Sequence, residues 1–227
     1  MKIIQAGICF PKYNWEDIIK TLERYARVCY RSENIFDKLK KNDFIKKLIK
    51  NKHESILEHE KVTCLFITDR GVTHEIVRHR LASYSQESTR YCNYSKDKFG
   101  KEITLIKPIF FKKETYEIWK KTMNIIEKKY FELLDKGSTP EEARSILPNS
   151  LKTEIVVTMN LRSLRHFLEL RCSKIAHPQI KEISIPLLLY LKDKANVLFD
   201  DIAYDKEFKA IYYGFVKETD NFFKEVN

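Results

Sequence analysis

RHRLASYSQESTRY occupies residues 78–91. Arg78, His79 and Arg80 stand side by side, and Ser83, Ser85, Gln86, Ser88, Thr89 and Arg90 follow them. Adjacent cations repel one another, and no single face of a helix or strand takes all three side chains into a core. A partner that is anionic and offers several attachment points accounts for them, because guanidinium forks match phosphate and carboxylate oxygens in pairs. The five glycines (Gly7, Gly71, Gly100, Gly137, Gly214) include no G-x-G, so a nucleotide would be held by side chains and not by a phosphate loop.

The chain has 227 residues, 43% hydrophobic and 12% aromatic, which suits a folded protein with a substantial core and argues against disorder. Lys and Arg number 42 against 32 Asp and Glu, a balance of +10 that favours anionic partners. Much of the excess is ordinary solvated lysine, as at Lys38, Lys40, Lys41, Lys112 and Lys113. Five cysteines, an odd count with no C-x-x-C, read as reduced thiols. MKIIQAGICF at the start has the pattern of a strand and lacks that of a secretory signal, and no apolar run approaches membrane-spanning length. The expectation is a cytoplasmic protein that does not enter a membrane.

No internal repeat or low-complexity linker divides the chain, so a single domain over residues 1–227 is expected. Asn14 reads as an N-cap with Asp17 at the third helical position, followed by Trp15, Ile18, Ile19, Leu22, Ala26 and Cys29 at helical spacing. KVTCLFIT (61–68) alternates as a strand ending at a DRG turn, and a helix is expected to lead from Thr73 into the quoted stretch. A second strand falls at 103–107, stopped by Pro108. A long amphipathic helix carries Tyr116, Trp119, Met123, Ile126, Tyr130 and Leu133 and closes at Gly137. STPEEARSILP holds a short helix with Thr139, Pro140 and Glu142 in a capping box. KTEIVVTM (152–159) is a third strand. Helices are expected over about 161–172, 178–199 and 205–225, with Pro186 kinking the second of them. Strands and long helices mix without strict βαβ alternation, which gives an α+β class: a mixed or antiparallel sheet flanked by long helices.

In NLRSLRHFLELRC (160–172), Leu161, Leu164, Phe167 and Leu168 form an apolar stripe, and Arg171 falls on the same stripe. An inward arginine needs a fixed acceptor, supplied by a ligand or by a protein carboxylate. Arg162, Arg165 and His166 sit on another face, where Glu169 is placed to pair with Arg165. Arg144, at the end of the short capped helix, complements the helix dipole unless other arginines converge with it. HESILEHE (53–60) does not read as a zinc site, because His53 and His59 are six residues apart where one helix face needs four, so no metal is expected. Ser55 and Glu58 belong instead to a turn or short helix beside a polar site.

Arg78-His79-Arg80, seven residues, Ser88 and then Arg90-Tyr91 resemble the signature of the flavin-dependent thymidylate synthases. ARVCY (26–30), HESILEH (53–59), ARSILP (143–148) and NLRSLRHFLELR (160–171) are similar to further segments of that family, in the same order. The resemblance covers about residues 15–185, and residues 186–227 read only as C-terminal helices. It implies that Ser55, Arg78, His79, Arg80, Gln86, Asn160, Arg162 and His166 contact FAD, with the arginines on its diphosphate. It implies that Glu75, Arg78, Gln86, Glu87, Ser88, Thr89, Arg90 and Arg144 hold dUMP. Arg171 would meet the uracil ring and promote its ionisation at N3, and His53 and Tyr91 would line the folate or nicotinamide face. Some members carry Asn and Glu where this chain has Ser85 and Gln86, and many read Ala-Gln-x-Glu where it has Ala176-His177-Pro178-Gln179.

The implied reaction is reductive methylation of dUMP to dTMP. Methylenetetrahydrofolate would supply the carbon and NADPH would reduce the flavin, in a homotetramer with shared active sites. No cysteine has the setting of a nucleophile, which agrees with a family that attaches no enzyme thiol to uracil. A nucleic-acid-binding module is the rival, prompted by the charge and by RYCNYSKDKFGK (90–101), but no recognised motif supports it, so no nucleic-acid partner is expected. A flavoprotein that kept the fold and lost methylation is a third reading.

Overall fold

The computed structural model describes residues 1–29, 31–32, 43–96 and 100–221. β1 (Lys2–Ile4) and β2 (Gly7–Phe10) lead to α1 (Trp15–Val28), α2 (Asp43–Lys50) and a 3-10 turn over Glu54–His59. β3 (Lys61–Asp69), α3 (Arg70–Ile76), β4 (Ala82–Gln86) and β5 (Thr104–Ile106) follow. α4 (Lys113–Asp135), α5 (Pro140–Ala143), β6 (Lys152–Asn160), α6 (Leu161–Arg171), α7 (Pro178–Phe199) and β7 (Phe215–Glu218) complete the order. Among the described residues one sheet has the order β4-β6-β3-β2-β7, antiparallel except where β7 joins β2 in parallel. β1 and β5 form a separate parallel pair. The class is α+β with a mixed sheet, as the sequence led one to expect.

Local signals act where they were read. The Asn14 side chain accepts from the Asp17 amide and starts α1. Thr139 and Glu142 make both halves of a capping box, and Gly137, at φ +95°, turns the chain after α4. β3 is buried from Cys64 to Thr68 because both of its faces are covered. Leu65 and Ile67 pack with Cys9 on one side, and Phe66 meets Phe167 of α6 edge-on at 5.9 Å on the other. Burial on both faces removes the half-buried alternation its sequence suggested.

Four expectations change. No turn separates β3 from the next element, because Asp69 caps α3 directly with its side chain on the Val72 amide at 2.7 Å. The helix does not continue into residues 78–91: it stops at Ile76, and β4 pairs with β6 from Ala82 to Gln86. Pro186 stays inside α7, and the backbone leaves helical geometry at Ala195 (φ −145°, ψ 52°), where no Pro or Gly marks the break. The expected helix over 205–225 is a 3-10 turn at Ala210–Tyr212 and the strand β7, with the part beyond 221 outside the described residues. Pairing with β2 overrides local propensity there. A Cβ on Gly214 would lie 2.5 Å from the Ala6 carbonyl oxygen, so only glycine lets the chain pass this close and dock β7 at the sheet edge.

Candidate active site

α6 begins where β6 ends. Asn160 caps it by accepting from the Ser163 amide at 2.8 Å, and the Leu161 amide donates to the Glu60 carbonyl at 3.0 Å. That bond docks the 54–59 turn against the helix N-terminus, and Arg162 reaches Glu58 at 2.6 Å. Ser55, Arg162 and His166 are exposed along this seam. His79 arrives from the segment after α3, with its ring 5.9 Å from that of His166 and 5.0 Å from Phe167. Arg78 and Arg80 flank it and are exposed. An exposed hydroxyl, two imidazoles and three arginines therefore share one region, a donor set that fits a phosphate-bearing aromatic cofactor.

Leu161, Leu164, Phe167 and Leu168 are buried, as their stripe requires, and Arg171 continues the stripe to the edge of the core. Its Nε donates to His79 Nε2 at 3.1 Å, Nη1 to Glu75 Oε2 at 2.7 Å, and Nη2 to the Glu75 carbonyl at 3.1 Å. Guanidinium only donates, so Nε2 of His79 is the lone-pair nitrogen and the ring is neutral. Burial, with Arg171 and His166 adding to it, pushes the His79 imidazole down to about 4. The unfolded chain thus binds this proton more readily than the folded one between pH 6.5 and 4. Folding stability should fall as pH drops through that window, by roughly 2 kcal/mol after discounting for the ring's partial exposure. Urea unfolding at pH 7 and pH 5 checks this: His79→Gln should lose visibly less stability across the interval than the native chain.

Gln86, Glu87, Ser88, Thr89 and Arg90 leave β4 together. The Gln86 amide donates to Thr73 Oγ1 at 3.0 Å and Thr153 Oγ1 at 3.3 Å, which leaves its carbonyl as the acceptor. Glu87 turns inward to the Tyr94 hydroxyl at 2.8 Å and Lys152 at 3.6 Å, Ser88 Oγ accepts from the Arg90 amide, and Thr89 is buried. Arg90 pairs with Glu141 at 3.0 Å, which brings it to the short helix that ends at Arg144. His53 precedes the 54–59 turn, and Tyr91 is exposed under the Arg90 guanidinium.

Arg165 corrects the reading of α6. It does not lie on an exposed face with Glu169 but is 1% exposed, paired through both terminal nitrogens with Asp201 at 2.8 and 2.7 Å. It also donates to the Leu198 carbonyl and stands 3.5 Å from Glu54. Hydrogen bonding to Arg165 holds the Asp201 carboxyl below its usual range. The break at Ala195 precedes Leu198 and Asp201, both of which meet this guanidinium. No pattern in the sequence announces that distant geometry.

A cleft of ≈390 Å³ opens beside Glu75, with Asp69, Phe110, Trp119, His177 and Gln179 among its walls. Sequence reading did not assign these to a site. In the sequence Asp69 stands only as part of a turn, and His177 only as a departure from the family pattern. The His177 ring meets Phe110 edge-on at 5.2 Å, and its Nδ1 accepts from the Gln179 amide at 3.2 Å. Burial raises the Asp69 carboxyl above its ordinary value and pushes the wholly buried Glu182, bonded to Gln179, up to about 8. Among the described residues no three His, Cys, Asp or Glu side chains are grouped to hold a metal, and no helix is long and apolar enough to cross a membrane.

Comparison with known proteins identifies the fold and the family. The family model described as thymidylate synthase complementing protein matches residues 13–195. The flavin-dependent thymidylate synthase of Geobacter sulfurreducens is 34% identical over 183 residues, covering 78% of this chain and 78% of that protein. That of Pyrococcus furiosus is 37% identical over 177 residues, covering 75% and 72%. In fold, the chain matches the UMP/dUMP methylase PolB of Streptomyces cacaoi, solved with 5-Br dUMP, at a TM-score of 0.71 and 21% identity over 88% of this chain and 96% of that one. A family model spanning most of the chain, and relatives above 30% identity over three quarters of it, place the protein: it belongs to the flavin-dependent thymidylate synthase family and is an enzyme of that type.

Proposed function

We propose that the enzyme converts dUMP to dTMP by reductive methylation, with methylenetetrahydrofolate as carbon donor and NADPH as reductant of a bound FAD. The observation that carries this reading is the guanidinium of Arg171, fixed at the end of α6 beside the Arg78-His79-Arg80 segment. Ser55, Arg78, His79, Arg80, Asn160, Arg162 and His166 would hold FAD, the arginines neutralising its diphosphate. Bound there, FAD would supply the hydride that completes the methyl group. Gln86, Ser88, Thr89, Arg90 and Arg144 would hold dUMP. In that group the Gln86 carbonyl accepts from the nucleotide, Ser88 donates to its phosphate, and Arg90 exchanges Glu141 for that phosphate.

Arg171 would present N–H donors to the imide edge of uracil, stabilise negative charge as the N3 proton leaves, and so raise electron density at C5. His53 and Tyr91 would border the folate or nicotinamide. The excess of +10 would in part steer the anionic substrates to the site. The reading includes a single catalytic domain, a homotetramer that shares its sites between subunits, and a cytoplasmic location.

Tritium release from [5-³H]dUMP tests it, with FAD, NADPH and methylenetetrahydrofolate supplied to the purified protein. FAD-dependent release with matching dTMP is the expected result. Binding of dUMP and FAD without release would leave a flavoprotein of this fold with other chemistry, and attention would move to Ser85, Gln86 and His177.

A further inference from the structure

Arg171 is bonded at each of its three nitrogens. Nε meets His79, Nη1 the Glu75 carboxylate, and Nη2 the Glu75 carbonyl, at 3.1, 2.7 and 3.1 Å. A guanidinium carries five N–H groups, so one remains on each terminal nitrogen. The two anchors are themselves fixed. His79 packs on the buried Phe167 ring, and its own carbonyl accepts from the Tyr84 hydroxyl. Glu75 is held in α3, which Asp69 caps. A freely rotating arginine would lose side-chain entropy each time it engaged a substrate, and a fork held in advance has already met that cost.

We infer that Glu75 and His79 are positioning residues for Arg171, holding its guanidinium in place to present its remaining N–H groups to the uracil ring. This rests on the proposed role of Arg171 at uracil, and it moves Glu75 from a nucleotide contact to a residue that acts through Arg171. Two of the acceptors of Glu75 are already taken by Arg171, and a bare carboxylate beside a nucleotide phosphate is repulsive. The charged and titratable groups facing His79 are Arg171 and His166, both from α6, and Glu75 of α3 meets the same guanidinium. The two from α6 disfavour a proton on the imidazole and so preserve its lone pair for Arg171 Nε.

Glu75→Ala and Glu75→Gln separate positioning from direct nucleotide binding. In the tritium-release assay Glu75→Ala should lower kcat by roughly 30-fold or more, with KM for dUMP changed by less than about threefold. Glu75→Gln keeps an acceptor for Nη1 and should recover kcat to within about fivefold of the native value. A raised KM at native kcat in Glu75→Ala, or a Glu75→Gln variant as slow as Glu75→Ala, overturns the inference. Exchange of the Arg171 Nε–H with water, followed by ¹⁵N NMR and assigned through Arg171→Lys, gives a readout independent of turnover. It should be slow in the native protein and faster in Glu75→Ala and His79→Ala. Equal exchange in all three overturns the inference even in an active enzyme. Slow native exchange accelerated by both variants supports the positioning even if dUMP proves not to be the substrate.

Discussion

Arg171→Ala is expected to lower dTMP formation by at least about 10²–10³-fold while the protein stays folded and keeps its flavin, since removal of one preorganised donor at a developing anion already costs that much. Arg171 sits at the rim of the core with its side chain 21% exposed, and Glu75 beside it is 32% exposed, so water can solvate the carboxylate left behind. Among the groups proposed for FAD, His79 loses its bond from Arg171 but keeps its packing on Phe167 and its carbonyl on the Tyr84 hydroxyl, while Asn160 and Arg162 are anchored elsewhere, on the Ser163 amide and on Glu58. Arg171→Lys should remain nearly as slow as the alanine variant. An ammonium is a point charge on a flexible stem and does not reproduce three bonds fixed in one plane. Single-turnover tritium release and the flavin absorbance of the purified variants check both statements. Near-native turnover by Arg171→Ala would remove the residue from the chemistry.

Asp201→Ala is expected to cost about 2–4 kcal/mol of folding stability, more than a surface ion pair, because the guanidinium it leaves is buried although Asp201 itself is 46% exposed. Arg165 would keep only the Leu198 carbonyl and the more distant Glu54. Arg165→Met removes the buried charge and fills similar volume, and the Asp201 carboxylate it leaves is 46% exposed and open to water, so its cost should be smaller, about 1–3 kcal/mol, set mainly by the orphaned carbonyl. Urea unfolding of the three proteins at neutral pH orders them. Equal losses in the two variants would mean that packing, and not the buried charge, dominates at Arg165. Glu54 also opens the turn that carries Ser55, so partial loss of flavin in Asp201→Ala should accompany the loss of stability.

The elements that were legible share one property: their signals are local. The Asn14 and Thr139 caps, the stop at Gly137 and the stripe of α6 each arise within a few residues, and the folded chain realises them as read. The order of motifs around Arg78-His79-Arg80 was likewise sufficient to indicate the family. β4 and β7 were not legible, because a short strand at a sheet edge is made by its neighbour. β4 exists through β6, and β7 through β2 and the close passage at Gly214.

The same distinction runs through the site. Sequence by itself placed an arginine at position 171 on an inward stripe and required an acceptor for it. Only the tertiary structure decided which acceptors those are, since Glu75 and His79 lie 96 and 92 residues away. It also decided that Arg165 is buried and bonded to Asp201, with Glu169 only a charged neighbour, because helical spacing lists the neighbours on one helix and says nothing of the chain that returns to cover it. Periodicity fixes which face a residue takes, and long-range packing fixes what that face meets.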